Sequence, residues 1–318
     1  MDNKIPILIL TGPTAVGKTD LSIKLAKILD GEIISADSMQ IYRYMDIGSA
    51  KIRPEEMDGV VHHMIDIVDP QEDFSVSEFK EKAEAIIGDI HSRGKFPIIT
   101  GGTGLYLNSI IFDMDFGQSQ ADPQIRKELE DILKENGLDY LYSILEEISP
   151  QAAMRIHKNN AKRVIRAIEI FKSGGNLGDF SNDLKPNEKY QAHIVVLNRD
   201  RSHLYDRINY RVDLMFDQGL LDEVKDLHER GYTKDMTSMK GIGYKEVLDY
   251  FDGLISLEDA KNSIKQSSRR YAKRQITWFK RYPHALWLNL DEVKSIDDQV
   301  RIIREFVANQ SIEEEGDI

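Results

Sequence analysis

Residues 5–29 read "IPILILTGPTAVGKTDLSIKLAKIL". The opening "IPILIL" is an apolar run of strand length, and from Asp20 onward apolar residues recur at helical spacing. Between them Gly12, Pro13, Thr14, Ala15, Val16, Gly17, Lys18 and Thr19 satisfy G-x-x-x-x-G-K-[ST] in the strand-to-helix setting that marks a phosphate-binding P-loop. The glycines let backbone N–H groups converge on phosphate oxygens. Lys18 adds a point charge, Thr19 can ligate Mg²⁺, and the helix dipole contributes its positive end. The loop does not name its ligand, because a prenyl diphosphate presents the same oxygens as the tail of ATP.

Working outward, β-rich runs alternate with helical periods: "GEIISAD", "HHMIDIVD", a helix near 75–93 and "KFPIITGG". This alternation predicts an α/β fold, with parallel strands joined by crossover helices in a doubly wound sheet. Residues 115–189 change to helices without strands, bounded by "DFGQSQADP" and "KSGGNLGDFSNDLKPNEK", and read as an inserted all-helical subdomain. "YQAHIVVLN" resumes the sheet. In the next helix Leu204, Ile208, Val212 and Met215 form an apolar stripe, with Ser202 the expected N-cap. Residues 261–284 are expected to be helical, "ALWLNL" to be a last strand, and residues 311–318 to be a frayed acidic tail. The core is thereby assigned to residues 1–114 and 190–310.

The chain has 318 residues, 41% hydrophobic and 30% charged, enough apolar material for a sizeable buried core. No apolar run approaches the roughly 20 residues that span a bilayer, and Met1 opens onto "DNK" with no secretory h-region, so a cytoplasmic location without a membrane partner is expected. With no cysteine, disulfides, thiolate zinc sites, iron–sulfur clusters and cysteine nucleophiles are excluded together. His62 and His63 are adjacent in an extended run, so they point to opposite faces and cannot easily share one site. The net charge of −12 argues against a nucleic-acid partner, but its distribution reverses that reading. Residues 261–284 carry Lys261, Lys265, Arg269, Arg270, Lys273, Arg274, Lys280 and Arg281 with no acid, interleaved with Tyr271, Trp278, Phe279 and Tyr282. Cations that meet a phosphate backbone beside aromatics that stack on unpaired bases would make an RNA-binding face, with a merely solvated charged face as the alternative.

Three further positions carry chemistry. Asp37 follows the apolar run "EIISA" at the carboxyl end of an expected parallel strand, where open α/β sheets bind ligands. A carboxylate there serves as general base, metal partner or simple turn cap. In "TGGTGLY", Gly101, Gly102 and Gly104 permit close backbone approach, and Thr103 offers a hydroxyl near a helix start as ligand contact or N-cap. Arg207 and Arg211 stand four apart on one helical face, placed for solvent, for surface acids or for a pyrophosphate clamp.

Taken together, "GPTAVGKT", "SADSMQIYRYMDIGSAK", "HHMIDIVDP", "GGTGLY", "ADPQIR", "KRVIRAIE", "RVDLMFDQGLLDEV", "KGIGYKE" and "RRYAKRQITWFKR" resemble the tRNA dimethylallyltransferase family of bacterial type. The resemblance implies a P-loop NTPase-like core with a central, mainly parallel sheet and a helical tRNA-binding insert. It implies transfer of a dimethylallyl group from dimethylallyl diphosphate to N6 of the adenine 3′-adjacent to the anticodon, in tRNAs that read codons beginning with U. Diphosphate is released, Mg²⁺ is the cofactor, and the partner is the anticodon stem-loop of tRNA, met by a monomer. On this match Asp37 is the general base. Lys18, Arg211 and the loop amides hold the diphosphate, Thr19 supports Mg²⁺, and Thr103 contacts the substrates. Asp37, Ser38, Met39, Gln40 and Thr103 read the target base. Arg126, Lys162, Arg163 and Arg166 belong to the tRNA face of the insert, and Arg269, Arg270, Lys273 and Arg274 to the basic helix. Two departures stand out: Lys162 replaces a glutamine-type residue, and "SGGNLGDFSND" breaks the usual continuation after "RAIEIF". An adenylate isopentenyltransferase acting on free nucleotide, a small-molecule kinase and a non-catalytic RNA-binding NTPase are the rival readings of the same loop.

Overall fold

The structure, a computed structural model, describes residues 4–114, 116, 123–175, 185–282 and 284–316. Ala121, Asp122 and most of "SGGNLGDFSND" lie outside the described residues. The chain divides into two compact units, Met1–Ile111 with Glu188–Ile318, and Phe112–Asn187.

The first unit opens with β1 (Ile5–Thr11), α1 (Lys18–Ile28), β2 (Gly31–Ser35), β3 (His62–His63), α2 (Val76–Ser92), β4 (Phe96–Gly101) and α3 (Gly104–Ile111). The second unit contributes α4 (Pro123–Ile148), α5 (Pro150–Arg155) and α6 (Ala161–Lys172). The first then resumes with β5 (Tyr190–Asn198), α7 (Arg201–Asp217), α8 (Leu220–Glu229), α9 (Tyr244–Phe251), α10 (Leu257–Phe279), β6 (Leu286–Asn289) and α11 (Ile296–Gly316). Six strands pair in parallel in the order β3-β2-β4-β1-β5-β6.

Ile7, Leu8, Ile9 and Leu10 are fully buried because β1 is central and covered on both faces, which is why its sequence is a continuous apolar run. Leu21, Leu25 and Ala26 of α1, Leu204 and Ile208 of α7, and Ile303 of α11 pack on the sheet in one cluster. Each leucine so buried contributes about 2 kcal/mol of transfer free energy. A second cluster joins Ile41, Tyr42 and Met45 to Val224, Met239, Tyr244 and Ile264, and so anchors the segment after β2. In the helical unit Leu129, Leu141, Leu145, Val164 and Ile168 form a separate core. Gly137, at φ 83°, interrupts α4 there.

Two local expectations are corrected. The "HHMIDIVD" strand is two residues long, because Met64 at φ 63° and Asp66 at φ 55° turn the chain out of the extended region. Asp200, not Ser202, is the N-cap of α7: its backbone N–H is held by Asp291 Oδ2 at 2.8 Å, and its carbonyl takes the N–H of Leu204. The tail from residue 311 is helical as far as Gly316, where α11 ends. The residues before that glycine are glutamates, good helix formers, and the glycine is the first breaker.

Candidate active site

The order β2-β4-β1 places three carboxyl-end segments side by side: the P-loop after β1, Asp37 after β2 and the glycine turn after β4. Ligands of open α/β sheets bind at this edge. Thr103 N–H donates to Ala36 O at 3.1 Å, stitching the second segment to the third. Gly12, at φ 153°, lies where a Cβ would meet Leu197 O at 2.6 Å, so the loop's first glycine is dictated by β5.

These segments enclose a cavity of about 390 Å³ lined by Thr14 through Thr19, Asp37, Gln40, Arg207, Tyr210, Arg211, Tyr271 and Gln275. It adjoins a space of about 660 Å³ that shares Ala50, Arg211 and Leu214 and has Ile47, Ile52 and Met215 in its walls. Lys18 Nζ donates to Gly12 O at 2.9 Å and Pro13 O at 3.1 Å. Burial lowers the Lys18 ammonium to about 8, Asp37 opposing and Arg211 reinforcing the shift. Arg211, half-buried, is likewise lowered by burial with Asp37 opposing. Two cations and one carboxylate therefore converge from three elements, and the excess positive charge suits a diphosphate. Asp37 Oδ1 accepts the N–H of Met39 at 2.9 Å, an Asx turn, while no described residue hydrogen-bonds its Oδ2.

The outer side of the loop is gripped by Arg207 Nε, donating to Ala15 O at 2.8 Å, and by Arg199 Nε, donating to Val16 O at 3.0 Å. Arg207 thus braces the loop through Nε while lining the same cavity as Arg211. Arg199 also pairs with Asp291 Oδ1 at 2.7 Å, so one carboxylate of the Asp200, His203 and Asp291 cluster is already engaged by a guanidinium.

Other expected site residues divide by what they touch. Thr103 Oγ1 accepts Ser38 N–H at 3.0 Å. Gln40 Nε2 donates to Ser49 O and Ala50 O at 3.4 and 3.3 Å, holding the neighbouring loop, and Met39 packs against Gly241. Arg126 and Arg166 both bond the fully buried Glu169, at 2.9 and 3.0 Å. Lys162 and Arg163 are exposed on α6 and, among the described residues, form no ion pair.

On α10, Lys265 pairs with Asp213 at 2.6 Å, Lys261 lies over Phe216, and Arg269 bonds Asn209. Arg270, Lys273 and Lys280 are exposed and unpaired among the described residues, and Arg274 lies over the Tyr271 ring at 5.6 Å. The stacking role expected of Phe279 and Tyr282 is overturned: they are 0% and 3% exposed. They occupy the buried side of the α10 end, where Asn108 accepts from Trp278 Nε1 at 3.2 Å and Tyr282 OH at 2.7 Å.

Two residues to which the sequence alone assigned no role complete the site, although Gln275 lies in "RRYAKRQITWFKR" and Glu223 in "RVDLMFDQGLLDEV". Gln275 interrupts the buried stripe of α10 with an amide, the one signal that could have found it, since a buried polar group requires partners. Glu223 accepts the N–H groups of Asp46, Ile47 and Gly48 at 2.9, 2.7 and 3.0 Å and the Tyr244 hydroxyl at 2.8 Å. It shapes a loop more than 170 residues distant, a contact no local pattern records.

Known proteins bear on this geometry. A protein from Clostridioides difficile named tRNA dimethylallyltransferase is 60% identical over 93% of this chain and 95% of its own length. One of the same name from Alkaliphilus oremlandii is 54% identical over 93% and 95%. The crystal structure of a tRNA isopentenylpyrophosphate transferase from Bacillus halodurans superposes with a TM-score of 0.73 at 46% identity, covering 98% of this chain and 100% of that one. A eukaryotic dimethylallyltransferase acting on tRNA superposes with a TM-score of 0.77 at 29% identity, over 96% and 80%. The family model described as IPP transferase matches residues 40–282. A central parallel sheet carrying a P-loop, a carboxylate facing two cations at its carboxyl edge, and these matches over nearly the whole length together place the chain in the IPP transferase family.

Proposed function

We propose that the protein transfers a dimethylallyl group from dimethylallyl diphosphate to N6 of the adenine 3′-adjacent to the anticodon of tRNA. The observation that carries this reading is the convergence of Lys18 and Arg211 with Asp37 in one cavity. The P-loop amides, Lys18 and Arg211 grip the diphosphate and neutralise charge that grows on it as the C1–O bond breaks. The amine of adenine is a poor nucleophile, its lone pair delocalised into the ring. Asp37 Oδ2 takes the N6 proton as nitrogen forms its bond to C1, and diphosphate leaves.

A hard cation fits the oxygen donors at the head of α1. The Thr19 hydroxyl lines a pocket there with Ser22 and Ser35, and no sulfur ligand is available in it. Mg²⁺ held there would offset the diphosphate charge. The exposed cations of α10, with Lys162 and Arg163 on α6, supply contacts to the tRNA backbone. No described helix is long and apolar enough to cross a membrane, and we place the activity in the cytoplasm, carried out by a monomer.

The test is an incubation with radiolabelled dimethylallyl diphosphate and, in parallel, unmodified tRNA, AMP or buffer. Label in tRNA alone is expected. Label in AMP would assign the chain to free-nucleotide prenylation, and rapid ATP turnover without transfer would make it a kinase or NTPase.

A further inference from the structure

Gln275 lies on the buried face of α10 in line with Ile264, Ala272 and Phe279 and is 5% exposed. Its Oε1 accepts the N–H of Thr14 at 2.9 Å, and its Nε2 donates to Gly102 O at 2.9 Å. Thr14 belongs to the diphosphate loop and Gly102 to the turn after β4, so one amide bolts together two segments that enter the cavity from different strands. Gly102 leads directly into Thr103, which holds Ala36 O through its own N–H and Ser38 N–H through its hydroxyl. The side chain therefore reaches both flanks of Asp37 through one intervening residue. Tyr271, one turn earlier on α10, turns its hydroxyl toward Thr103 and Gln275. A methyl group at Gly102 would collide with Gln275 Nε2, so the turn carries a glycine where the amide must approach.

We propose that Gln275 is a positioning residue for the transfer, setting the separation between the P-loop and the Asp37 segment. It thereby keeps the carbon under attack and the acceptor of the N6 proton in register. The proposal rests on the functional reading above. Transfer to a weak nucleophile depends on alignment, and a misplacement of about 1 Å costs on the order of 10²-fold in rate. Gln275 also sits on the helix whose outer face carries Arg270, Lys273 and Arg274, so the RNA-facing element and the alignment of the reacting groups share one rigid body.

Two variants test the role in steady-state transfer to unmodified tRNA. Gln275→Met keeps the side-chain volume and removes both hydrogen bonds. Gly102→Ala keeps the glutamine and pushes its amide off both partners. Each is expected to lower kcat by on the order of 10²-fold, with tRNA affinity by filter binding unchanged within about twofold and the melting temperature within a few degrees. A Gln275→Met enzyme with wild-type kcat would overturn the proposal. So would a loss matched by an equal fall in tRNA affinity or in folded protein, because a scaffold role moves those together. If Gln275→Met does not fold, Gly102→Ala decides on the same readings. A wild-type protein that transfers nothing to tRNA would overturn the functional reading and this inference with it, whereas wild-type transfer beside an unimpaired variant overturns this inference alone.

Discussion

Asp37 commits one oxygen to the backbone and leaves the other without a hydrogen bond from any described residue. Oδ1 closes a turn on Met39 N–H, and the carboxylate charge faces Lys18 and Arg211. Capping and the proposed proton transfer, rivals in the sequence, thus make no competing demand on one oxygen. Asp37→Asn separates them, since the amide oxygen still accepts the Met39 N–H but accepts an N6 proton poorly. Transfer is expected to fall by on the order of 10²-fold or more, with tRNA affinity and melting temperature unchanged. Single-turnover kinetics beside a binding titration check this, and full activity in the variant would remove Asp37 from the proton path.

At the scale of elements, what surrounds the site is held by contacts between neighbours in the sheet. The capping box of α2, Ser75 Oγ to Glu78 N–H and Glu78 carboxylate to Ser75 N–H, starts a helix whose Phe79 stacks on Tyr106 of α3 at 4.0 Å. Ser75→Ala is expected to cost about 1 kcal/mol in urea unfolding, with kcat unchanged, because the box touches no cavity residue. Glu32 on β2 is buried between Arg93 and His63, and the Arg93 hydrogen bond lowers its carboxyl to about 2 from an ordinary 4.5. A carboxyl lowered by folding stabilises fully above its ordinary value, and the contribution disappears as pH falls through 4.5 toward 2. The melting-temperature gap between wild type and Glu32→Gln should accordingly be widest near neutral pH and close across that acid window. A gap independent of pH would show that the ion cluster is not its source.

Across the whole molecule the charge is segregated, with the −12 total concealing an acid-free stretch. Folding then sorts that stretch again. Lys261, Lys265 and Arg269 turn inward to Phe216, Asp213 and Asn209, while Arg270, Lys273 and Lys280 remain exposed. Charge reversal at Arg270 and Lys273 is expected to weaken tRNA binding and flatten its salt dependence, by about 0.7–0.9 in log–log slope per lost phosphate contact. Reversal at Lys265 should instead lower stability, since it sets a carboxylate against Asp213. Filter binding across a salt series and thermal unfolding distinguish the two groups.

The linear sequence determined whatever is local: the P-loop and its flanking strand and helix, the α/β alternation, the change to helices in the insert, and the place of Asp37 after a strand. Periodicity and loop chemistry act over a few residues, so they are written where they act. The tertiary structure alone decided which side chains are spent on the protein itself. Arg126 and Arg166 were taken by Glu169, Phe279 and Tyr282 by the core around Asn108, and Arg207 by Ala15 O. It also decided that Gln275 and Glu223 shape loops 173 or more residues away. Those assignments depend on which segments meet in space. A side chain's chemistry is the same in the extended chain, but its partners exist only once the sheet order brings them together.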